Sequence, residues 1–124
     1  MIVGIGIDMI EVARVAEKVA KPNGFKEKIF SAAEIAFCES TAASAEHFAA
    51  RFAAKESFLK ATGQGLNLSF DLHQVEIVNT SSGKPEILLH GKFKEAAIKN
   101  GWNKIQVSLS HLENLACAVV IIEK

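Results

Sequence analysis

The sequence predicts one α+β domain, with a largely antiparallel sheet and helices packed on one side. Short runs of apolar residues are typical of strands, and longer runs place them at helical spacing. A turn-rich segment at residues 80–84 joins two of the strand-like runs, as in a hairpin. The predicted order along the chain is strand, helices, two strands, helix, two strands.

The first predicted strand covers residues 2–8, and Gly4 and Gly6 interrupt its apolar residues. Glycine within a strand marks a close backbone approach or extra twist. A first helix is predicted over residues 10–21, ended by a Pro-Asn-Gly breaker. Asp8 lies at the junction, where it is either a helix cap or an oxygen ligand for Mg²⁺. The glycines do not complete a dinucleotide-binding fingerprint, and the chain has no phosphate-binding P-loop sequence.

Two further helices are predicted before the middle of the chain. One covers residues 31–38, because Ser31 and Glu34 form a capping-box pattern. The other covers residues 47–62, an alanine-rich run without internal glycine or proline that ends at Gly63.

The helix over residues 47–62 combines an apolar stripe with charged residues at its margins. The stripe, predicted to face the core, consists of Phe48, Phe52 and Leu59. Lys55 and Glu56 lie at its two edges, and Glu56 is correctly spaced for an ion pair with Lys60. Arg51 and Lys55 have the same spacing and repel each other. Either an anion binds between them, or both side chains lie along the core edge with their charges in water.

The second half of the chain is predicted to contain four strands and one helix. Strands over residues 73–79 and 85–90 form a hairpin, and a helix follows over residues 91–101. The residues of this helix that are predicted to face inward are Phe93, Ala96, Ala97 and Ile98. Residues 104–110 alternate as in a half-buried strand, and the almost wholly apolar run 115–122 predicts a central or interface strand.

Composition limits the function classes. The 124 residues carry 14 Lys and Arg against 14 Asp and Glu, which argues against a general nucleic-acid binder. No membrane-spanning run and no signal peptide are predicted. Cys38 and Cys117 lack metal-ligand spacing and are predicted to be reduced, mostly buried thiols of a cytoplasmic protein. Residues 14–28 carry five basic residues against two acidic ones, either an ordinary solvated face or a surface that attracts an acidic protein.

Five segments, covering nearly the whole chain, resemble one known family. They are GIGIDMIEVARV from Gly4, FSAAEIAFCE from Phe30, RFAAKESFLKATGQG from Arg51, SSGKPEILLHG from Ser81 and VSLSHLENLACAVVI from Val107. In this order they resemble the small, trimeric holo-acyl-carrier-protein synthase type of phosphopantetheinyl transferases. The resemblance implies one phosphopantetheinyl transferase domain over residues 1–124. It also implies transfer of 4′-phosphopantetheine from coenzyme A to a serine of apo acyl carrier protein, a step of fatty acid biosynthesis.

The resemblance also implies roles for charged residues. Asp8 and Glu56 would hold Mg²⁺, and Glu56 or a metal-bound water would accept the proton of the carrier serine. Lys60 would stabilise charge on the phosphates or protonate the leaving group. Arg51 and Lys55 would contact the phosphates of coenzyme A.

Further implied roles concern the rest of the binding surfaces. His111 would lie against coenzyme A, and the loop Gly83-Lys84-Pro85 would lie along its adenine and ribose. Arg14 matches the family's carrier-docking residue, and Lys18 and Lys21 extend that basic surface on the first helix. Family members of this length form homotrimers with the active site between adjacent subunits.

Some residues and function classes remain outside this resemblance. His47, His73 and His90 have no motif around them and are assigned no ligand role. A non-catalytic coenzyme A or nucleotide-binding module, or a purely structural oligomeric domain, is the alternative. The presence of both Asp8 and Glu56 counts against the binding module, because such a module does not need metal-binding carboxylates.

Overall fold

The computed structural model describes residues 1–64 and 71–124. Its elements are, in order, β1 (Ile2–Glu11), α1 (Val12–Ala20), α2 (Phe25–Ile29), α3 (Ala32–Glu39), α4 (Ser44–Thr62), a 3-10 turn (Leu72–Gln74), β2 (Val75–Asn79), β3 (Pro85–Leu89), α5 (Gly91–Asn100), β4 (Lys104–His111) and β5 (Leu115–Glu123). Gly65, the last residue of the RFAAKESFLKATGQG segment, lies outside the described residues.

All strand pairs of the described residues are antiparallel, which confirms the predicted α+β class. The strands form a three-stranded sheet of order β1-β5-β4 and a separate two-stranded sheet of β2 and β3. β5 is the central strand, as its apolar run predicts. β2 and β3 form the predicted hairpin, in which Val75 pairs with Leu89 and Asn79 with Pro85.

Helix α4 packs against β1 at a distance that only glycine allows. A Cβ on Gly4 would lie 1.9 Å from the carbonyl oxygen of Ala61, and one on Gly6 would lie 2.0 Å from that of Ser57. The prediction of a close backbone approach at these glycines is therefore confirmed. The Ser57 hydroxyl also donates a hydrogen bond of 2.9 Å to the carbonyl oxygen of Ala118, which fixes the helix to β5.

Strand β1 is longer than predicted. Its ladder with β5 continues to the pair Glu11 and Leu115, so α1 begins only at Val12. Asp8 lies inside the strand, where it pairs with Ala118. The interpretation of Asp8 as a helix cap is therefore wrong.

The core surrounds α4. Phe48 and Leu59 are buried as predicted, whereas Phe52 is only partly buried, with its ring centroid 6.3 Å from that of Phe25. The helix is buried on far more than one narrow stripe, because small residues let its neighbours approach closely. These buried small residues are Ala49, Ala50, Ala53, Ala54 and Ala61.

Other local predictions have mixed outcomes. The capping box of α3 is present, since Ser31 Oγ accepts from the Glu34 amide at 3.2 Å and Glu34 Oε1 accepts from the Ser31 amide at 2.8 Å. Phe93 is buried, but Ile98 is 73% exposed, so its predicted inward position is wrong. The free thiol of Cys38 is buried. No helix among residues 1–64 and 71–124 is long and apolar enough to cross a membrane.

Among the described residues, the face of the three-stranded sheet opposite Gly4 and Gly6 is apolar and exposed. Its β1 residues Ile5, Ile7 and Met9 are 67%, 66% and 66% exposed. They pair with half-buried residues of β5, including Ile121 and Val119. We call this surface, comprising Ile5, Ile7, Met9, Val119 and Ile121, the apolar sheet face.

Candidate functional site

Two carboxylates approach each other where β1 crosses α4. The Lys60 ammonium donates to Asp8 Oδ1 and to the carbonyl oxygen of Ile7, both at 3.0 Å. Lys60 thus pairs with Asp8 instead of its predicted partner Glu56. Burial raises the pKa of Glu56 and the negative charge of Asp8 raises it further, while the positive charges of Lys60 and Lys18 act in the opposite direction.

Asp8 and Glu56 fit a divalent cation. Both offer hard oxygen donors, and their mutual repulsion, visible in the raised pKa of Glu56, is relieved by a positive charge between them. Within the part of the chain that the structure describes, no group of three or more His, Cys, Asp or Glu side chains could hold a metal. Mg²⁺ is nevertheless commonly bound by one or two carboxylates, with water and substrate phosphates as its other ligands.

A cleft of about 550 Å³ opens between α4, β4 and the turn joining β2 to β3. Its lining includes all but one of the residues predicted to bind coenzyme A, namely Arg51, Gly83, Lys84, Pro85 and His111. These residues come from three separate parts of the chain, and the fold brings their basic groups to one concave surface. Such a surface suits an anionic ligand.

Arg51 gives a second reason to expect an anion in this cleft. Arg51 is only 3% exposed, and its guanidinium carbon lies 4.3 Å from the centroid of the Phe37 ring. Its Nε atom is buried and has no hydrogen-bond partner among the described residues. An unpaired buried donor costs roughly 1–3 kcal/mol, which a ligand that accepts this hydrogen bond would offset.

Lys55 does not line the cleft, so its predicted contact with coenzyme A phosphates is corrected. The side chains of Lys55 and Glu34 are both 0% exposed, with 2.8 Å between Lys55 Nζ and Glu34 Oε1. Lys55 also donates to the carbonyl oxygens of Leu72, at 3.0 Å, and Val75. These three bonds use all the donors of an ammonium group and direct it into the protein interior.

Glu34 completes this buried cluster. Its Oε2 accepts from the Ile77 amide at 2.9 Å, and its Oε1 accepts from the Ser31 amide at 2.8 Å. The pair with Lys55 therefore joins α3, α4 and β2. The sequence marks Glu34 only as a capping-box residue, and no local pattern reveals that its partner lies on another helix.

The cleft also contains aromatic residues that sequence reasoning missed. His47, assigned no role from the sequence, lines the cleft with its ring centroid 5.2 Å from that of His111. The centroid of the Phe37 ring is also 5.2 Å from that of His47. His111 Nδ1 is 2.8 Å from Glu46 Oε1, a contact between β4 and the first turn of α4 that a linear sequence does not indicate.

The residues predicted to dock the carrier protein lie on α1 and at its C-terminal end, where Lys21 is the C-cap. Arg14, Lys18 and Lys21 are exposed, while Val12 and Val15 on the same helix are buried. The positive charge of Lys18 acts to lower the pKa of Glu56, which indicates that Lys18 lies near this carboxylate.

Comparison with known proteins identifies the family. A family model described as the 4′-phosphopantetheinyl transferase superfamily matches residues 4–120. This chain belongs to that superfamily. The resemblance seen in the sequence segments is therefore confirmed.

Individual members of the superfamily match over their full length. The holo-[acyl-carrier-protein] synthase of Cytophaga hutchinsonii is 46% identical over 127 residues, covering 100% of this chain and 99% of that protein. The crystal structure of the holo-[acyl-carrier-protein] synthase from Neisseria meningitidis has a TM-score of 0.90 at 29% identity and covers 100% of both chains. The enzyme from Bacillus anthracis, solved in complex with CoA (3′,5′-ADP), has a TM-score of 0.79 at 31% identity, covering 98% of this chain and 96% of that one.

Replacing Lys55 tests the assignment of this residue to the core. We expect Lys55→Met to lower the free energy of unfolding by about 3–5 kcal/mol, because it leaves the Glu34 charge buried without its partner. Urea unfolding measures this loss, and Lys21→Met, at a side chain that is 54% exposed, is the control. Calorimetric titration of the folded variant with coenzyme A should give the wild-type affinity. Full stability with weakened binding would instead place Lys55 at the ligand.

Proposed function

We propose that this chain transfers 4′-phosphopantetheine from coenzyme A to a serine of apo acyl carrier protein, leaving adenosine 3′,5′-bisphosphate. The observation that carries the proposal is that one helix serves two adjoining sites. α4 presents Glu56 to Asp8 on β1, and it presents Arg51 to the cleft that also contains Lys84 and His111. The names of the full-length relatives, and the coenzyme A in the Bacillus anthracis structure, support the same reaction. We place it in cytoplasmic fatty acid biosynthesis, with residues 1–124 acting as one domain.

The carboxylate pair is the proposed reaction centre. Asp8 and Glu56 would hold Mg²⁺, which when bound neutralises negative charge on the pyrophosphate. The carrier serine oxygen attacks the phosphorus that bears pantetheine, and the bond from this phosphorus to the bridging oxygen breaks. Glu56, which lies beside Asp8, is the proposed acceptor of the serine proton. Lys60 then donates to the oxygen that leaves with adenosine 3′,5′-bisphosphate.

The cleft is the proposed site for the nucleotide end of coenzyme A. Arg51 has a buried unpaired donor for a phosphate oxygen, and Lys84 and His111 add basic groups around it. The loop Gly83-Lys84-Pro85 would lie along the adenine and ribose. The aromatic rings of Phe37 and His47 offer apolar surface in the same cleft.

The exposed side of α1 is the proposed docking surface for the carrier protein. Arg14, Lys18 and Lys21 form a positive surface that suits an acidic partner. Its closeness to Glu56, inferred from the effect of Lys18, would bring a docked serine near the reaction centre.

We further propose that the chain assembles as a homotrimer through the apolar sheet face, with the active site at the subunit interface. A large contiguous patch of exposed apolar residues usually marks a site of interaction with another protein. The face contains three large apolar residues of β1 that are each about two-thirds exposed, and the neighbouring residues of the central strand β5 extend it. A second copy of the chain would bury them.

Intact-mass spectrometry of apo acyl carrier protein tests the proposed reaction. Incubation with this protein, coenzyme A and Mg²⁺ should add the mass of one phosphopantetheine, and a chelator should prevent the gain. We expect Asp8→Ala and Glu56→Ala to reduce the rate by at least about 10³-fold while circular dichroism stays unchanged. Coenzyme A binding without any mass gain, for several carrier proteins, would favour the non-catalytic binding module.

A charge on the apolar sheet face tests the proposed assembly. We expect Ile7→Glu to convert trimers to monomers in size-exclusion chromatography with light scattering, and transfer to be lost with the trimer. Ile98→Glu is the matched control, because Ile98 is 73% exposed but lies on α5, away from this face. A wild-type monomer, or an Ile7→Glu protein with the wild-type mass, would contradict the proposal.

A further inference from the structure

The contact between His111 and Glu46 has a chemical consequence for the cleft. The two atoms in contact, His111 Nδ1 and Glu46 Oε1, are 2.8 Å apart, and the side chains are only 30% and 24% exposed. A carboxylate only accepts hydrogen bonds, so Nδ1 must carry the hydrogen. In neutral His111 the other nitrogen, Nε2, is then an acceptor without a hydrogen.

An acceptor nitrogen is the wrong group to face a phosphate oxygen. His111 lines the cleft together with Arg51 and Lys84. A phosphate that binds against His111 needs a donor at Nε2, which exists only in the doubly protonated imidazolium. With Glu46 on one nitrogen and a phosphate on the other, the imidazolium has an anionic acceptor on each side.

Besides Glu46, four charged or titratable groups lie around His111. Arg51 and Lys84 in the cleft are cationic, and a bound phosphate would neutralise their charge. Burial lowers the pKa of the adjacent His47, the charges of His111 and Arg51 lower it further, and the charge of Glu46 acts in the opposite direction. On β5, Cys117 borders His111 but supplies no fixed charge.

We propose that Glu46 is a positioning residue which holds His111 in the tautomer that must take up a proton from solvent when the cleft binds the phosphate of a nucleotide. This inference rests on the proposed function, because it assumes that the nucleotide end of coenzyme A occupies the cleft. Nucleotide binding and protonation of His111 are then thermodynamically linked, so each favours the other.

Calorimetric titration with adenosine 3′,5′-bisphosphate tests the linkage. Titrations from about pH 6 to about pH 9, in buffers of different ionisation enthalpy, measure the protons taken up per ligand. We expect the number of protons taken up per bound ligand to approach one at the alkaline end. There the affinity should decrease by up to about tenfold for each pH unit. The ligand phosphates also gain protons near about pH 6. His111→Gln, whose side chain at this position cannot be protonated, measures that background.

Replacing Glu46 tests whether this residue positions His111 or only supports the local structure. Glu46→Gln keeps an acceptor oxygen but removes the negative charge that favours the imidazolium. We expect the midpoint of the pH dependence to move to lower pH. Affinity should fall about two- to fivefold at neutral pH and recover as the pH is lowered. Glu95→Gln, an exposed acid on α5, is the matched control and should leave the midpoint unchanged.

The outcomes distinguish this inference from the function on which it rests. Binding with no more proton uptake in the wild type than in His111→Gln would overturn the linkage and leave the transfer reaction intact. An unchanged midpoint in Glu46→Gln would overturn the role of Glu46 alone. If the wild type binds neither adenosine 3′,5′-bisphosphate nor coenzyme A, the proposed function itself fails.

Discussion

The close contact between β1 and α4 is the constraint on which the candidate site depends. Gly4 and Gly6 lie directly against the carbonyl oxygens of Ala61 and Ser57, where any side chain would collide with helix backbone. Side chains alternate between the two faces of a strand, so Asp8 lies on the same face of β1 as Gly4 and Gly6, the face that packs against α4. Because Gly4 and Gly6 lack Cβ atoms, β1 lies close enough to α4 for the charge of Asp8 to raise the pKa of Glu56.

Helix geometry explains why two adjacent charged residues have different roles. Lys55 and Glu56 are about 100° apart around α4. One points into the core, where it pairs with Glu34 at 2.8 Å, and the other is half-buried near Asp8. A buried ion pair contributes little net stability by itself, but removing one partner is costly. Lys55 and Glu34 therefore hold α4 against α3 and β2.

The features predicted correctly from the sequence are those that local chemistry determines. Glycine spacing in β1, the capping box at Ser31 and the apolar run of β5 each identify an element without knowledge of its neighbours. The features missed depend on contacts between distant segments. Lys55 reads as a surface cation because a buried lysine is rare and its partner Glu34 lies 21 positions away. Ile98 reads as a core residue from its type alone, although α5 buries Phe93 instead.

The proposed metal site of Asp8 and Glu56 depends on the backbone contact at Gly6. The most direct test is the affinity for Mn²⁺ in the presence of coenzyme A, measured by electron paramagnetic resonance for the wild type and Gly6→Ala. The added methyl group, which would lie 2.0 Å from the Ser57 oxygen, must push β1 from α4. We expect folded Gly6→Ala to bind Mn²⁺ at least about tenfold more weakly, a loss of about 1.4 kcal/mol. The control Gly24→Ala strains a left-handed backbone position (φ +84°) at the start of α2, but its methyl group meets open space, so the variant should keep the wild-type affinity. Equal Mn²⁺ affinity in Gly6→Ala and the wild type would contradict the account.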